Sequence, residues 1–174
     1  MNRSWIDRLS RWAGHCSAVA VGLTVLLATL TALGRKWGWG SNALLELQWY
    51  LFALIFLWAA AWTLQTDGHV RVDVLAKRWS VRTRAWVDVV GHVLVLLPLC
   101  MLLLWLGGEQ AWQVWQSGER SADAGGLIRW PVWALVPTGF ALLLLQTLLD
   151  LWRKLRVALG AEAVAADVHP SGAP

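Results

Sequence analysis

The chain is short, apolar and mildly basic. It has 174 residues, of which 57% are hydrophobic and 15% are charged, and its formal net charge is +4. Soluble domains carry roughly 25% charged residues, so the composition argues against a water-soluble protein. The basic residues flank apolar runs and form no continuous stripe. This arrangement argues against nucleic acid as a partner and favours contact with a lipid bilayer.

Four apolar stretches are long enough to cross a bilayer, and they cover about residues 16–33, 43–64, 85–106 and 130–149. About 20 helical residues span a hydrocarbon core of about 30 Å, and backbone amides in lipid need partners within the chain. The sequence therefore predicts an all-α integral membrane protein with four transmembrane helices. The membrane domain covers residues 16–156, and residues 1–15 and 157–174 form tails, the second of them disordered.

The first stretch is predicted to be a permanent anchor. Its apolar run exceeds the roughly 7 to 15 residues of a signal peptide, and no A-x-A cleavage site follows it. Small residues also share one side of this helix and would let another helix approach closely. They are Ala18, Gly22, Ala28, Thr29 and Ala32.

Polar residues open the second stretch, and a charged segment follows it. Glu46 and Gln48 stand near its start, where they could contact a partner or cap the helix. The segment "DGHVRVDVLAKRW", residues 67–79, concentrates charges such as Arg71 and Asp73. Charge is costly inside lipid, so this second loop is predicted to turn round in water, with a short interfacial helix in it.

The third stretch contains Asp88 and His92, one helical turn apart. Such a pair fits a proton relay, or an interfacial polar pair that packs against another helix or reaches the headgroups. The second interpretation is preferred because Asp88 lies close to the end of the span. In the third loop, residues 107–129, Trp112 and Trp115 share a helical face and predict a further interfacial helix.

The last stretch ends in Asp150, Arg153 and Lys154, which are interpreted as an ordinary charged stop. The two tails and the second loop together hold eleven Lys and Arg residues, against four in the first and third loops. The positive-inside rule then places both termini in the cytoplasm. Many of the fifteen tryptophans lie at or near predicted span ends, which is typical of an aromatic belt.

Neither a cofactor nor a catalytic centre is expected. The histidines are His15, His69, His92 and His169, and only His92 lies clearly inside a span. Haem held by two histidines needs a facing pair, so a cytochrome-like electron-transfer subunit is disfavoured but stays an alternative. A stand-alone four-helix exporter is the other alternative. It would need an ionisable group in a span to couple protons, and the first span has none.

Three blocks of the chain resemble the small membrane subunit, DctQ-like, of tripartite ATP-independent periplasmic (TRAP) transporters. They are "ELQWYLFALIFLWAAAWTLQTDGHVRVDVL" at 46–75, "RAWVDVVG" at 84–91 and "RWPVWALVPTGFALLLLQTL" at 129–148. The resemblance covers roughly residues 10–156.

The resemblance implies a protein of the bacterial inner membrane that is not an enzyme. It implies a large membrane subunit and a periplasmic substrate-binding protein as partners, and uptake of an organic acid driven by an ion gradient. The small subunit would brace the large one. We expect the subunit contacts to involve Glu46, Gln48, His69, Arg71, Asp73, Asp88 and Arg129.

Overall fold

The part of the chain that the structure describes is built from four long helices. A computed structural model describes residues 4–38, 41–66, 80–123 and 126–159. The helices are α1 (Trp5–Lys36), α2 (Asn42–Gln65), α3 (Val81–Ser117) and α4 (Trp130–Ala158). All four are long and apolar enough to cross a membrane, which confirms the fold class predicted from the sequence. The charged segment 67–79, with its predicted interfacial helix, lies outside the described residues.

Serine caps set where α1 and α3 begin. The Ser4 hydroxyl accepts a hydrogen bond from the Asp7 backbone N–H at 3.3 Å, and the Asp7 carboxylate accepts one from the Ser4 N–H at 3.1 Å. This reciprocal capping box starts α1 well before residue 16, where the apolar span was predicted to begin. Ser80 caps α3 in the same way by accepting from the Thr83 N–H at 3.1 Å.

Residues 107–117 continue α3. The prediction of a separate interfacial helix in the third loop is therefore wrong. The glycine at the start of this segment, Gly107, lies inside the helix and packs closely against α4. A Cβ added to Gly107 would lie 2.7 Å from Cγ1 of Val136. The helix ends instead at Gly118, whose φ of +63° is in the left-handed region that glycine adopts without a steric penalty.

One irregular turn interrupts α3. Residues His92–Leu96 form a π-helical turn between the α-helical segments Val81–Gly91 and Leu97–Ser117. Pro98, which has no backbone N–H to donate, follows directly in the second segment. Single π-turns are frequent at functional positions, and this one contains a buried histidine.

The helices pack in the order α1, α2, α4, α3. The most extensive contacts join α1 to α2, α3 to α4, and α2 to α4. A glycine lies in each of these contacts, because added Cβ atoms at Gly14 and Gly139 would come within 2.7 Å of Trp62 and Leu57. Gly107 against Val136 supplies the third close approach. Small residues that let backbones come together are the usual means of helix association in lipid.

Little of the apolar surface is buried within this chain. The buried apolar cluster consists of Leu64, Cys100 and Leu143, with partly buried neighbours around it. The small-residue face of α1 is exposed along its whole length, from Ala18 to Ala32. These surfaces are therefore available to lipid or to another membrane protein.

Replacing Gly139 with valine is expected to destabilise the packing of α2 on α4 by about 1–3 kcal/mol, the usual cost of overpacking. The reason is that the new Cβ would meet the Leu57 Cβ at 2.7 Å and the Leu57 carbonyl oxygen at 3.1 Å. Unfolding by SDS in mixed micelles, followed by tryptophan fluorescence, measures the change. Gly91→Val is the matched control, because a Cβ at Gly91 meets nothing within 4 Å. Equal losses in both variants would contradict the packing described here.

Candidate functional site at the two ends of the helices

The Asp, Glu, Lys and Arg residues of the four helices lie toward the helix ends. We call the end that holds Trp5, Gln65, Val81 and Ala158 the terminal end, and the opposite one the loop end. Between these ends the helices consist almost entirely of apolar residues. Two sets of polar contacts, one at each end, are therefore the candidates for specific interactions.

At the terminal end, an ion pair joins the first helix to the last. Nη1 of Arg153 donates to Oδ1 of Asp7 at 3.0 Å, and Nη2 donates to Oδ2 of the same carboxylate. The Asp7 side chain is only 5% exposed, whereas that of Arg153 is 32% exposed. A two-pronged contact of this kind fixes direction as well as distance, so it sets the rotation of α4 against α1.

Two further hydrogen bonds support the same region. The Ser10 hydroxyl donates to Oε1 of Gln146 at 2.8 Å, and both side chains are almost completely buried. Gln65 donates through Nε2 to the backbone carbonyl of Asp7 at 3.2 Å, which ties the end of α2 to the start of α1. Buried polar side chains are costly without partners, so these bonds favour one arrangement of the helices.

A second group of charges links α3 to α4, and we call Asp88, His92, Asp150 and Lys154 the α3–α4 ionic cluster. Nζ of Lys154 lies 2.9 Å from Oδ2 of Asp88 and 2.9 Å from Oδ2 of Asp150. Nε2 of His92 lies 3.1 Å from the same oxygen of Asp150. The cluster therefore joins two carboxylates of different helices through one ammonium and one imidazole.

Both ring nitrogens of His92 face acceptors. Nδ1 is 2.6 Å from the Asp88 carbonyl oxygen, which can only accept, and Nε2 faces the Asp150 carboxylate. A ring that carries protons on both nitrogens satisfies both contacts. With His92 and Lys154 positive, each carboxylate of the cluster has a positive group within 3.1 Å. Of the two interpretations of Asp88 and His92 from the sequence, this arrangement agrees with the second, in which they form a polar pair that packs against another helix.

The charged end of α4 is more than the ordinary stop expected from the sequence. Asp150 and Lys154 belong to the α3–α4 ionic cluster, and Arg153 pairs with Asp7. The expectation is corrected because the three side chains point to two neighbouring helices that the sequence does not identify as neighbours. In addition, Nε of Arg82 donates to the Ala158 carbonyl at 2.7 Å and caps the end of α4.

At the loop end, Glu46 holds the chain that leads into α4. Its Oε2 accepts a hydrogen bond from the Leu127 backbone N–H at 2.7 Å. Beside it, the Tyr50 hydroxyl donates to the Ile128 carbonyl at 3.2 Å. Arg129 lies next in the chain and pairs with Glu119 at 2.9 Å, with both side chains more than 40% exposed. An exposed pair of this kind contributes at most about 1 kcal/mol, so its value lies in shaping the surface.

Glu46, Tyr50 and Arg129 also line an open pocket of about 480 Å³ between α2, α4 and the third loop. Gln48 faces α1 instead. Its Nε2 donates to the Thr31 hydroxyl and to the Leu44 carbonyl, each at 3.2 Å. The pocket combines charges of both signs with aromatic rings, which suits a polar protein segment better than a purely apolar one.

The structure divides the predicted contact residues between the two ends. Glu46, Gln48 and Arg129 lie at the loop end, whereas Asp88 lies at the terminal end. The remaining three, His69, Arg71 and Asp73, lie outside the described residues. Each of the four described residues has a partner within this chain, so contact with another subunit would be made through their remaining polar atoms.

Comparison with known proteins identifies similarity over most of the chain. Residues 18–157 match the family described as tripartite ATP-independent periplasmic transporters, DctQ component. The chain is also 29% identical over 169 residues to the C4-dicarboxylate TRAP transporter small permease protein DctQ of Pseudomonas aeruginosa (strain PAO1). That alignment covers 92% of this chain and 75% of the relative.

Proposed function

The chain belongs to the family of DctQ components of tripartite ATP-independent periplasmic transporters, and on this premise we propose that it braces the large membrane subunit during uptake. It is the small permease subunit of such a transporter and a multi-pass protein of the bacterial inner membrane. Family membership implies a role in transport rather than in enzymatic catalysis, and partnership with a large membrane subunit and a binding protein. Family membership favours neither the cytochrome-like alternative nor the exporter alternative.

The observation that best supports bracing is the distribution of polar groups. The charged contacts that fix the helices lie at the terminal end, while the middles of the spans are apolar. A transporter that works alone places polar groups near the midplane to hold its substrate. We infer that this subunit supplies a rigid support, and that the transported organic acid passes through the large subunit. The similar protein from Pseudomonas is named for C4-dicarboxylates, so these are the first substrates to test.

We further propose that both termini face the cytoplasm, as the distribution of Lys and Arg predicts. The loop end would then face the periplasm, where Glu46, Gln48 and Arg129 would contact the large subunit or receive the loaded binding protein. At the cytoplasmic side, Asp88 and the segment with His69, Arg71 and Asp73 would form a docking turn. The substituted-cysteine accessibility of residues in segment 67–79 tests this orientation.

The small-residue face of α1 is proposed to pack against the large subunit. It is exposed in this chain, and a Cβ at Gly22 would meet nothing within 4 Å. Gly22→Leu should therefore leave the fold of this subunit intact but lower its co-purification with a tagged large subunit about tenfold, which corresponds to about 1.4 kcal/mol. Gly108→Leu, at an equally open position on α3, should assemble normally. Equal yields for the two variants would contradict the placement of the interface on α1.

The same measurement tests the docking turn. Arg71→Glu and Asp73→Lys should each lower the yield of the complex, because each reverses a charge that the turn is proposed to present. Arg156→Glu, on the exposed side of α4, is the control. Arg153 and Lys154 are unsuitable controls because both take part in ion pairs within this chain. A normal yield with both reversed turn residues would remove them from the proposed interface.

A further inference from the structure

An open groove of about 660 Å³ runs along α3 at its contact with α4. Its lining includes Met101 and Leu104 of α3 and Leu144 of α4, which form an apolar surface. Toward the loop end the lining becomes aromatic and charged, because it consists there of Trp105, Glu109 and Trp112. The groove therefore has one apolar part and one part with a carboxylate among aromatic rings.

The position of Glu109 in the sequence sets its depth in the membrane. Residues 93–108 carry no charge, and Glu109 is the first charged residue after them. A helix of that length rises about 24 Å. Its side chain is exposed, and a rise of that size, set against a hydrocarbon core of about 30 Å, fits a carboxylate at the level of the lipid headgroups.

Two tryptophans flank this carboxylate on the same side of the helix. Trp105 is four residues before Glu109 and Trp112 is three residues after it, and residues at these spacings are neighbours on a helix surface. Their exposures of 74% and 61% show that the larger part of each tryptophan is open to its surroundings. A carboxylate between aromatic rings is suited to bind an alkylammonium group, through a charged hydrogen bond and cation–π attraction.

We propose that this groove binds an aminophospholipid, with its primary ammonium at Glu109 between Trp105 and Trp112. One acyl chain would lie along Met101, Leu104 and Leu144. The tryptophan N–H groups are available as neutral donors for the lipid phosphate. Among the described residues that line the groove there is no Lys or Arg, so an anionic headgroup would meet the Glu109 carboxylate without a compensating cation. This inference does not depend on the proposed bracing function.

A general aromatic belt would bind lipids of any headgroup. Glu109 is the feature that distinguishes a selective aminophospholipid site from such a belt. The test uses the full-length chain purified in detergent and native mass spectrometry with palmitoyl-oleoyl phosphatidylethanolamine, phosphatidylglycerol or phosphatidylcholine. The first lipid is expected to be retained about tenfold better than the other two, because hydrogen bonds to charged groups discriminate by about that factor. Glu109→Gln keeps the shape of this exposed side chain and should abolish the preference.

A second variant blocks the groove without removing any binding group. A Cβ at Gly108, which lies in the groove lining, meets nothing within 4 Å, so Gly108→Leu fills open space and should lower retention of phosphatidylethanolamine about tenfold. Gly22→Leu is the matched control on α1, far from the groove lining, and should leave retention unchanged. Equal retention of the three lipids by the wild-type chain would overturn the proposal. So would an unchanged preference in Glu109→Gln, or a preference for phosphatidylglycerol.

Discussion

Replacing Arg153 with methionine is expected to lower the free energy of unfolding by about 2–3 kcal/mol. Removal of one partner from a buried ion pair costs about 3–5 kcal/mol, because the other charge stays buried without compensation. Asp7 is left in that position, but the cost is reduced because the Arg153 side chain is 32% exposed and water reaches this site. SDS titration in mixed micelles, followed by tryptophan fluorescence, measures the change.

A double-mutant cycle separates the ion pair from other effects of the substitution. Asp7→Asn combined with Arg153→Met removes both charges, so the double variant should be more stable than the sum of the single losses predicts. Arg156→Met replaces an exposed arginine one helical turn closer to the end of α4 and should change stability by less than about 0.5 kcal/mol. Strictly additive losses would mean that Asp7 and Arg153 do not interact in the membrane protein.

Replacing Asp150 with asparagine is expected to lower the free energy of unfolding by about 2–4 kcal/mol. The substitution keeps the shape of the side chain but removes the anion that His92 and Lys154 share at 3.1 and 2.9 Å. The Asp150 side chain is only 15% exposed, so little water replaces the lost contact. The same SDS titration measures the effect.

The α3–α4 ionic cluster also predicts a partial rescue. Adding His92→Gln to Asp150→Asn removes the cation that the lost carboxylate balanced. Lys154 still has its contact with Asp88 at 2.9 Å. The double variant should therefore lose less unfolding free energy than the sum of the losses measured for Asp150→Asn and His92→Gln alone. Asp123→Asn, in the exposed third loop, is the control. If Asp123→Asn destabilises the chain as much as Asp150→Asn does, the α3–α4 ionic cluster has no special role in stability.

The existence of four helices long and apolar enough to cross a membrane could be predicted from the sequence, because the cost of burying charge in lipid is large and local. The second span, predicted at 43–64, corresponds to α2, Asn42–Gln65. The third was predicted to end at 106, whereas α3 continues to Ser117. Hydrophobicity marks the edge of the hydrocarbon core, but a helix continues beyond it until a residue such as Gly118 ends it.

The contacts between helices could not be predicted in the same way. Asp7 and Arg153 are 146 residues apart, and nothing in a single sequence states that α1 and α4 meet at the terminal end. The sequence makes Glu46 a candidate because it opens the second span, where it could contact a partner or cap the helix. Its partner within the chain is the backbone N–H of Leu127, and no side-chain pattern marks a backbone donor. The packing order of the helices is therefore the information that the structure adds.

Uptake into proteoliposomes would show whether this subunit supports transport without carrying the substrate itself. Vesicles would contain this chain alone, the large subunit alone, or both, with the binding protein, a labelled C4-dicarboxylate and an ion gradient supplied outside. Gradient-driven uptake is expected only when both membrane subunits are present, and no uptake is expected with this chain alone. Substrate accumulation in vesicles that contain this chain without the large subunit would contradict this expectation.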